Sequence, residues 1–193
     1  MARERRPAVP RPSAAAPGPA ATDPGEGSAA HDAYAALRSA GVDFAVYLPD
    51  SVLHQVAGLL EADPEVRTVV CSREDEGVAL AVGASLAGRL PVVLMEGSGM
   101  GYCGLILARA LLQRTAMLIL ASHNRVLGER FDYHGATRIV GEGTAEGLGL
   151  PRLVVHDRAM LRTAIRGAVQ TIQGQKVPVC LFIPGYVMLG GAP

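Results

Sequence analysis

The sequence has no tryptophan, and only 4% of its residues are aromatic. That leaves little from which to build stacking platforms for nucleic-acid bases. An excess of basic charge is missing too: 18 Lys and Arg balance 18 Asp and Glu. A chain built to bind nucleic acid would show that excess. No apolar run reaches the roughly 18 residues of a membrane span. Cysteine is sparse, and Cys71, Cys103 and Cys180 form no CxxC pair. Each lies in or beside an apolar run, which reads as a buried free thiol in a reducing, cytoplasmic setting. No His or Cys cluster shows metal-ligand spacing, so no metal site is expected on this chain.

What is present suits one globular domain. The 193 residues are 49% hydrophobic, enough for a real core. Residues 1–29 are rich in Pro and Ala and lack hydrophobic periodicity, so the sequence predicts a disordered tail there. The basic start MARERR is not followed by an apolar segment, which argues against a secretory signal. The folded domain is expected over 30–193.

From residue 30 onwards, helical and strand patterns alternate. Strands are predicted at 44–48, 66–71, 90–95, 116–122, 153–156 and 177–183. Most are continuous apolar runs, as in strands covered on both faces. About six such strands alternating with helices predict a doubly wound α/β fold with a parallel sheet. In that architecture ligands sit beyond the carboxyl ends of the strands. The segments to inspect are therefore Pro49–Ser51, Ser72–Glu76, Glu96–Gly101 and Ser122–Arg125.

The stretch MEGSGMGYCG, residues 95–104, joins a predicted strand to a predicted helix with four glycines. Gly99, Gly101 and Gly104 spell GxGxxG, but the acid a dinucleotide site needs about 20 residues later, at the tip of the next strand, is missing. No Gly-Lys-Ser/Thr follows, so a P-loop is excluded. Glycines that only permit close helix–strand packing remain an alternative. Two further stretches matter. In REDEGVALAVGASLAG, Glu74 opens a helix, and Gly77, Ala81 and Gly83 are read as one close-packed small-residue face. Asp75 and Glu76 read as first-turn acids that suit the helix dipole. In LPDSVL, Asp50 or Ser51 is placed to cap a helix.

Together, LPDSVL, REDEGVALAVGASLAG and LMEGSGMG resemble the pyrimidine-binding (PYR) domain of thiamine diphosphate enzymes. Within that group they are most similar to the alpha subunit of sulfopyruvate decarboxylase and the matching half of phosphonopyruvate decarboxylase. The resemblance runs from about residue 31 to 185. It implies that Glu74 is the family glutamate that hydrogen-bonds N1′ of the cofactor's aminopyrimidine. It places Gly97, Ser98, Gly99 and Met100 in a cofactor-binding loop, with Gly97 standing where the family has Asn. It makes Asp50, Ser51, His123, Arg125 and His134 substrate contacts, with Arg138 a further candidate anion contact.

The implied activity is decarboxylation of a small anionic 2-oxo acid to an aldehyde and CO2. The implied cofactors are thiamine diphosphate and Mg2+. The family's Gly-Asp-Gly metal motif is absent from this sequence, so the resemblance implies a separate beta subunit that supplies the metal ligands, in a heterotetramer or larger. Two other readings stay open: a carboligase of acetolactate or acyloin type, and a non-catalytic α/β binding domain.

Overall fold

The computed structural model describes residue 25 and residues 27–124 and 135–190. Six strands form one sheet: β1 (Phe44–Tyr47), β2 (Arg67–Val70), β3 (Pro91–Glu96), β4 (Met117–His123), β5 (Arg152–Val154) and β6 (Pro178–Pro184). Every pairing is parallel, and the order is β2-β1-β3-β4-β6-β5. The predicted doubly wound α/β fold is thus the observed one. The chain leaves β1 towards β2 and returns to place β3 on the other side of β1. The strand order therefore reverses between β1 and β3, and in such sheets the crevice outside the carboxyl ends at that switch is where ligands bind.

Alternation along each strand divides the core in two. Val92 and Leu94 of β3, Leu118 and Leu120 of β4, and Val179, Leu181 and Ile183 of β6 face one layer. That layer contains α1 (Ala29–Ser39), α2 (His54–Ala62), α6 (Leu161–Gln175) and α7 (Gly185–Leu189). Val93, Met95, Met117, Ile119, Cys180 and Phe182 point the other way. They meet α3 (Glu74–Leu86), α4 (Gly104–Leu112) and α5 (Gly143–Gly147). This period-two division explains why the strands read as unbroken apolar runs. Each fully buried large side chain contributes on the order of 1.5–3 kcal/mol.

The start of α1 follows from local chemistry. Helix α1 begins at Ala29, where the Ser28 hydroxyl caps it by accepting from the His31 N–H at 3.1 Å. Asp32 then binds Arg158 and Arg162 at 2.9 Å each, tying α1 to the start of α6. The rest of the predicted tail lies outside the described residues.

One packing expectation is corrected. Gly77 and Ala81 face the sheet, and a Cβ on Gly77 would stand 3.0 Å from Cys71 Sγ. Gly83 is exposed, with nothing near its Cβ position. At about 100° per residue, the ninth position after Glu74 falls on the face opposite the seventh.

Among the described residues no helix is long and apolar enough to cross a membrane. All three cysteines are free and buried.

Candidate functional site at the switch between β1 and β3

The glycine stretch folds as a 3-10 helix over Gly97–Cys103 and leads directly into α4. Its glycines approach the protein's own atoms. A Cβ on Gly97 would lie 2.4 Å from the Ser122 carbonyl oxygen and 2.5 Å from Thr137 Cγ2. One on Gly101 would lie 2.3 Å from Val140 Cγ1. One on Gly99 would lie 2.2 Å from Glu74 Cγ and 2.6 Å from Glu74 Oε1. The turn is therefore wedged between the end of β4, a π-helix at Thr137–Glu142 and the Glu74 side chain. Gly97 has no room for the asparagine of the resembling family. Met100 is fully buried in the core beneath the turn, so only its backbone can serve the crevice.

Glu74 is the first residue of α3 and is half-buried. Its neighbours are satisfied elsewhere. Arg73 clamps Asp75 through two hydrogen bonds at 2.9 and 3.1 Å and lies 5.6 Å from the centre of the Tyr102 ring. The Arg73 hydrogen bond is the main reason the Asp75 carboxyl titrates below its ordinary value. Glu76 accepts the Ser72 N–H at 3.0 Å. Among the described residues the Glu74 carboxylate accepts no hydrogen bond, and Gly99 leaves it room.

Asp50 closes the end of β1. Its Oδ1 accepts the N–H groups of Val52 and Leu53 at 2.9 and 2.8 Å, and its Oδ2 accepts the Ser122 hydroxyl at 2.9 Å. Asp50, and not Ser51, thus caps the turn 51–53 that leads into α2, whose own N-cap position, Leu53, has no side-chain cap. Both of its oxygens are occupied within the chain, whereas Ser51 is exposed.

His123, at the end of β4, is buried. Its Nε2 lies 2.7 Å from Glu142 Oε1, and its buried Nδ1 has no partner among the described residues. Arg125 and His134 lie outside the described residues, and Arg138 is exposed on the π-helix. The structure therefore brings Asp50, Ser98 and His123 to the same sheet end as the Glu74 helix start.

Three residues that the sequence reading missed belong to this cluster. Glu96 ends β3 and accepts hydrogen bonds from Ser98 Oγ and, at 3.0 Å, from Thr137 Oγ1. Thr137 is fully buried, and Glu142 holds His123. A lone acid at the end of an apolar run was a legible sign for Glu96. Nothing local marks Thr137 or Glu142, whose partners lie 41 and 19 residues away.

Residues 28–139 match the family described as thiamine pyrophosphate enzyme, N-terminal TPP binding domain. The chain belongs to this family. Among curated relatives, the sulfopyruvate decarboxylase subunit alpha of Methanothermobacter thermautotrophicus is 37% identical over 97 residues, covering 50% of this chain and 59% of the relative. The subunit of the same name from Methanococcus maripaludis is 32% identical over 104 residues, covering 53% of this chain and 62% of the relative. The chain thus spans about three fifths of the length of these relatives.

Two solved structures share the fold. The 2-oxoglutarate:ferredoxin oxidoreductase from Magnetococcus marinus superposes with a TM-score of 0.68 at 16% identity, over 83% of this chain and 29% of that one. The thiamine diphosphate-dependent 4-hydroxybenzoylformate decarboxylase of Rhodococcus jostii RHA1 gives 0.63 at 18% identity, over 86% and 32%. The strand-end crevice described above falls largely inside the family-matched segment, with Glu142 just beyond it.

Proposed function

We propose that this chain is the alpha, pyrimidine-binding subunit of a two-chain thiamine diphosphate-dependent 2-oxo acid decarboxylase. The substrate is a small anionic 2-oxo acid such as sulfopyruvate or phosphonopyruvate, and the products are an aldehyde and CO2. The observation that carries this reading is the Glu74 carboxylate, half-buried at the start of α3 and without a donor among the described residues, beside a glycine that keeps its approach clear. Such a carboxylate fits a ligand that presents a ring nitrogen able to share a proton.

Thiamine diphosphate, when bound, supplies the thiazolium that acts as electron sink for the loss of CO2. In this reading Glu74 holds a proton shared with N1′ of the aminopyrimidine. The turn Gly97–Met100 shields that contact from water, which strengthens it. Asp50 and Ser122 would keep the ends of β1 and β4 together beneath the substrate, and His123, held by Glu142, would lie behind that site at the end of β4. The Mg2+-diphosphate ligands belong to a beta subunit, and the assembly is at least a heterotetramer in the cytoplasm.

The partner is supported by the outward faces of α3 and α4. Leu86 is 70% exposed, Leu105 68% and Leu112 86%. Large apolar side chains exposed together on neighbouring helices suit an interface.

The test is to co-express the chain with a candidate beta subunit and measure aldehyde release from sulfopyruvate and phosphonopyruvate. Glu74→Gln should lower kcat by about 10²-fold or more, the usual scale for a proton-transfer group. A cofactor-loaded complex whose Glu74→Gln form turns over at the native rate would sink the assignment.

A further inference from the structure

Glu96, the last residue of β3, is not used by the proposed chemistry. Glu96 is a half-buried carboxylate that pairs with no cation among the described residues. Both of its oxygens accept hydroxyls, from Ser98 inside the glycine turn and from Thr137 at the head of the π-helix. Thr137 is fully buried, and its Cγ2 stands where a Cβ on Gly97 would fall. Gly141, later in the π-helix, places its own Cβ position 2.5 Å from the Gly97 carbonyl oxygen. The turn thus has no slack on this side. The other side of the same turn is Gly99, set against Glu74.

We infer that Glu96 is a positioning residue. By binding Ser98 and Thr137 together it clamps the glycine turn against the π-helix, and so fixes Gly99 against the Glu74 carboxylate. The inference rests on the reading of Glu74 as the functional carboxylate. It adds a residue outside that reading, one that acts through the turn and not on a ligand. Hydroxyl-to-carboxylate bonds are charge-assisted and stronger than neutral ones, which suits a clamp. The π-helix brings Thr137 to the carboxyl end of β3 and Glu142 to that of the neighbouring β4, and such turns are frequent at functional sites.

The experiment uses the full chain and needs no cofactor. Gly99 Cα and amide resonances are followed by NMR through the carboxylate titration range. Arg73, Asp75 and Glu76 also carry charge near this helix start, so Glu74→Gln isolates the part of the response that belongs to Glu74. In the native chain Gly99 should track Glu74. Glu96→Ala and Thr137→Val should cut that response about fourfold, the change expected when water replaces a protein-like dielectric between the two groups. Glu96→Gln and Thr137→Ser, which keep a hydrogen-bonding group in place, should restore most of it.

An unchanged response in Glu96→Ala would overturn the proposal. So would an equal loss in all four variants, since that would mean general loosening without a clamp. A native Gly99 that ignores Glu74 would overturn it as well. Failure of the complex to bind thiamine diphosphate would count against the proposed function alone, because the Gly99 response is read without it.

Discussion

Replacing Gly97 by alanine tests directly what the glycine turn approaches. The added Cβ would lie 2.4 Å from the Ser122 carbonyl oxygen and 2.5 Å from Thr137 Cγ2, below the 3.0 Å that real Cβ contacts respect. Neither neighbour can step aside cheaply. Ser122 is paired with Glu96 in the β3–β4 ladder, and Thr137 is β-branched and held by Glu96. Overpacking of this kind costs about 1–3 kcal/mol, and a stiffer unfolded chain returns roughly 0.4–1 kcal/mol. A net loss of about 1 kcal/mol corresponds to a fall in Tm of about 2–4 °C for a chain of this size.

Gly104 is the matched control. It is the first residue of α4, with φ −51°, and its Cβ position has no neighbour within 4 Å. Gly104→Ala should raise stability by up to about 1 kcal/mol through helix propensity. The assay is thermal and urea unfolding of both variants side by side. A Gly97→Ala chain as stable as Gly104→Ala would refute the close approach, and with it the account of why this chain has no asparagine there.

Three further outcomes follow from the geometry. Asp50→Ala should lose about 1–2 kcal/mol in urea unfolding, since it frees the cap N–H groups of Val52 and Leu53 and the Ser122 hydroxyl; Asp50→Asn should recover part of this. The hydrogen bond from Arg162, and then the pairing with Arg158, hold the Asp32 carboxyl below its ordinary value against the opposing effect of burial. A depressed folded-state pKa gives stability that is complete above the unfolded value of about 3.9 and is lost as the pH falls through the folded one, so Asp32→Asn should flatten the acid limb of the stability profile below about pH 4. Burial pushes the Cys103 thiol up to about 12, and desolvation raises those of Cys71 and Cys180 as well; a thiol reagent at pH 8 should therefore label all three only on unfolding, and rapid labelling of the native chain would contradict the buried placement.

Much of the architecture was legible in the residues. Strands such as 90–95 and 177–183 are apolar at every position because both of their faces are covered, and continuity of burial is a local signal. Glu74 was legible for a similar reason: it opens a helix at a fixed spacing from glycine and alanine positions. The same local logic placed the glycine turn between strand and helix. It also failed locally once, at Gly83, where a spacing in sequence was taken for a shared face that helical rotation does not allow.

The remaining features depend on which distant segments the crossovers bring together. Composition of the turn could not tell that Gly97 meets Ser122 and Thr137 while Gly99 meets Glu74, since those partners come from β4, the π-helix and α3. The bond between Asp50 and Ser122 spans 72 residues, and the bond between Thr137 and Glu96 spans 41. Both exist because β1, β3 and β4 are neighbours in the sheet. The sequence by itself determined which segments are strands, where the chain turns, and which acid stands at the start of α3, because burial and capping are written in near neighbours. Only the tertiary structure decided what fills the crevice between the strand ends, because strand order is set by long-range pairing and no short stretch of chain carries it.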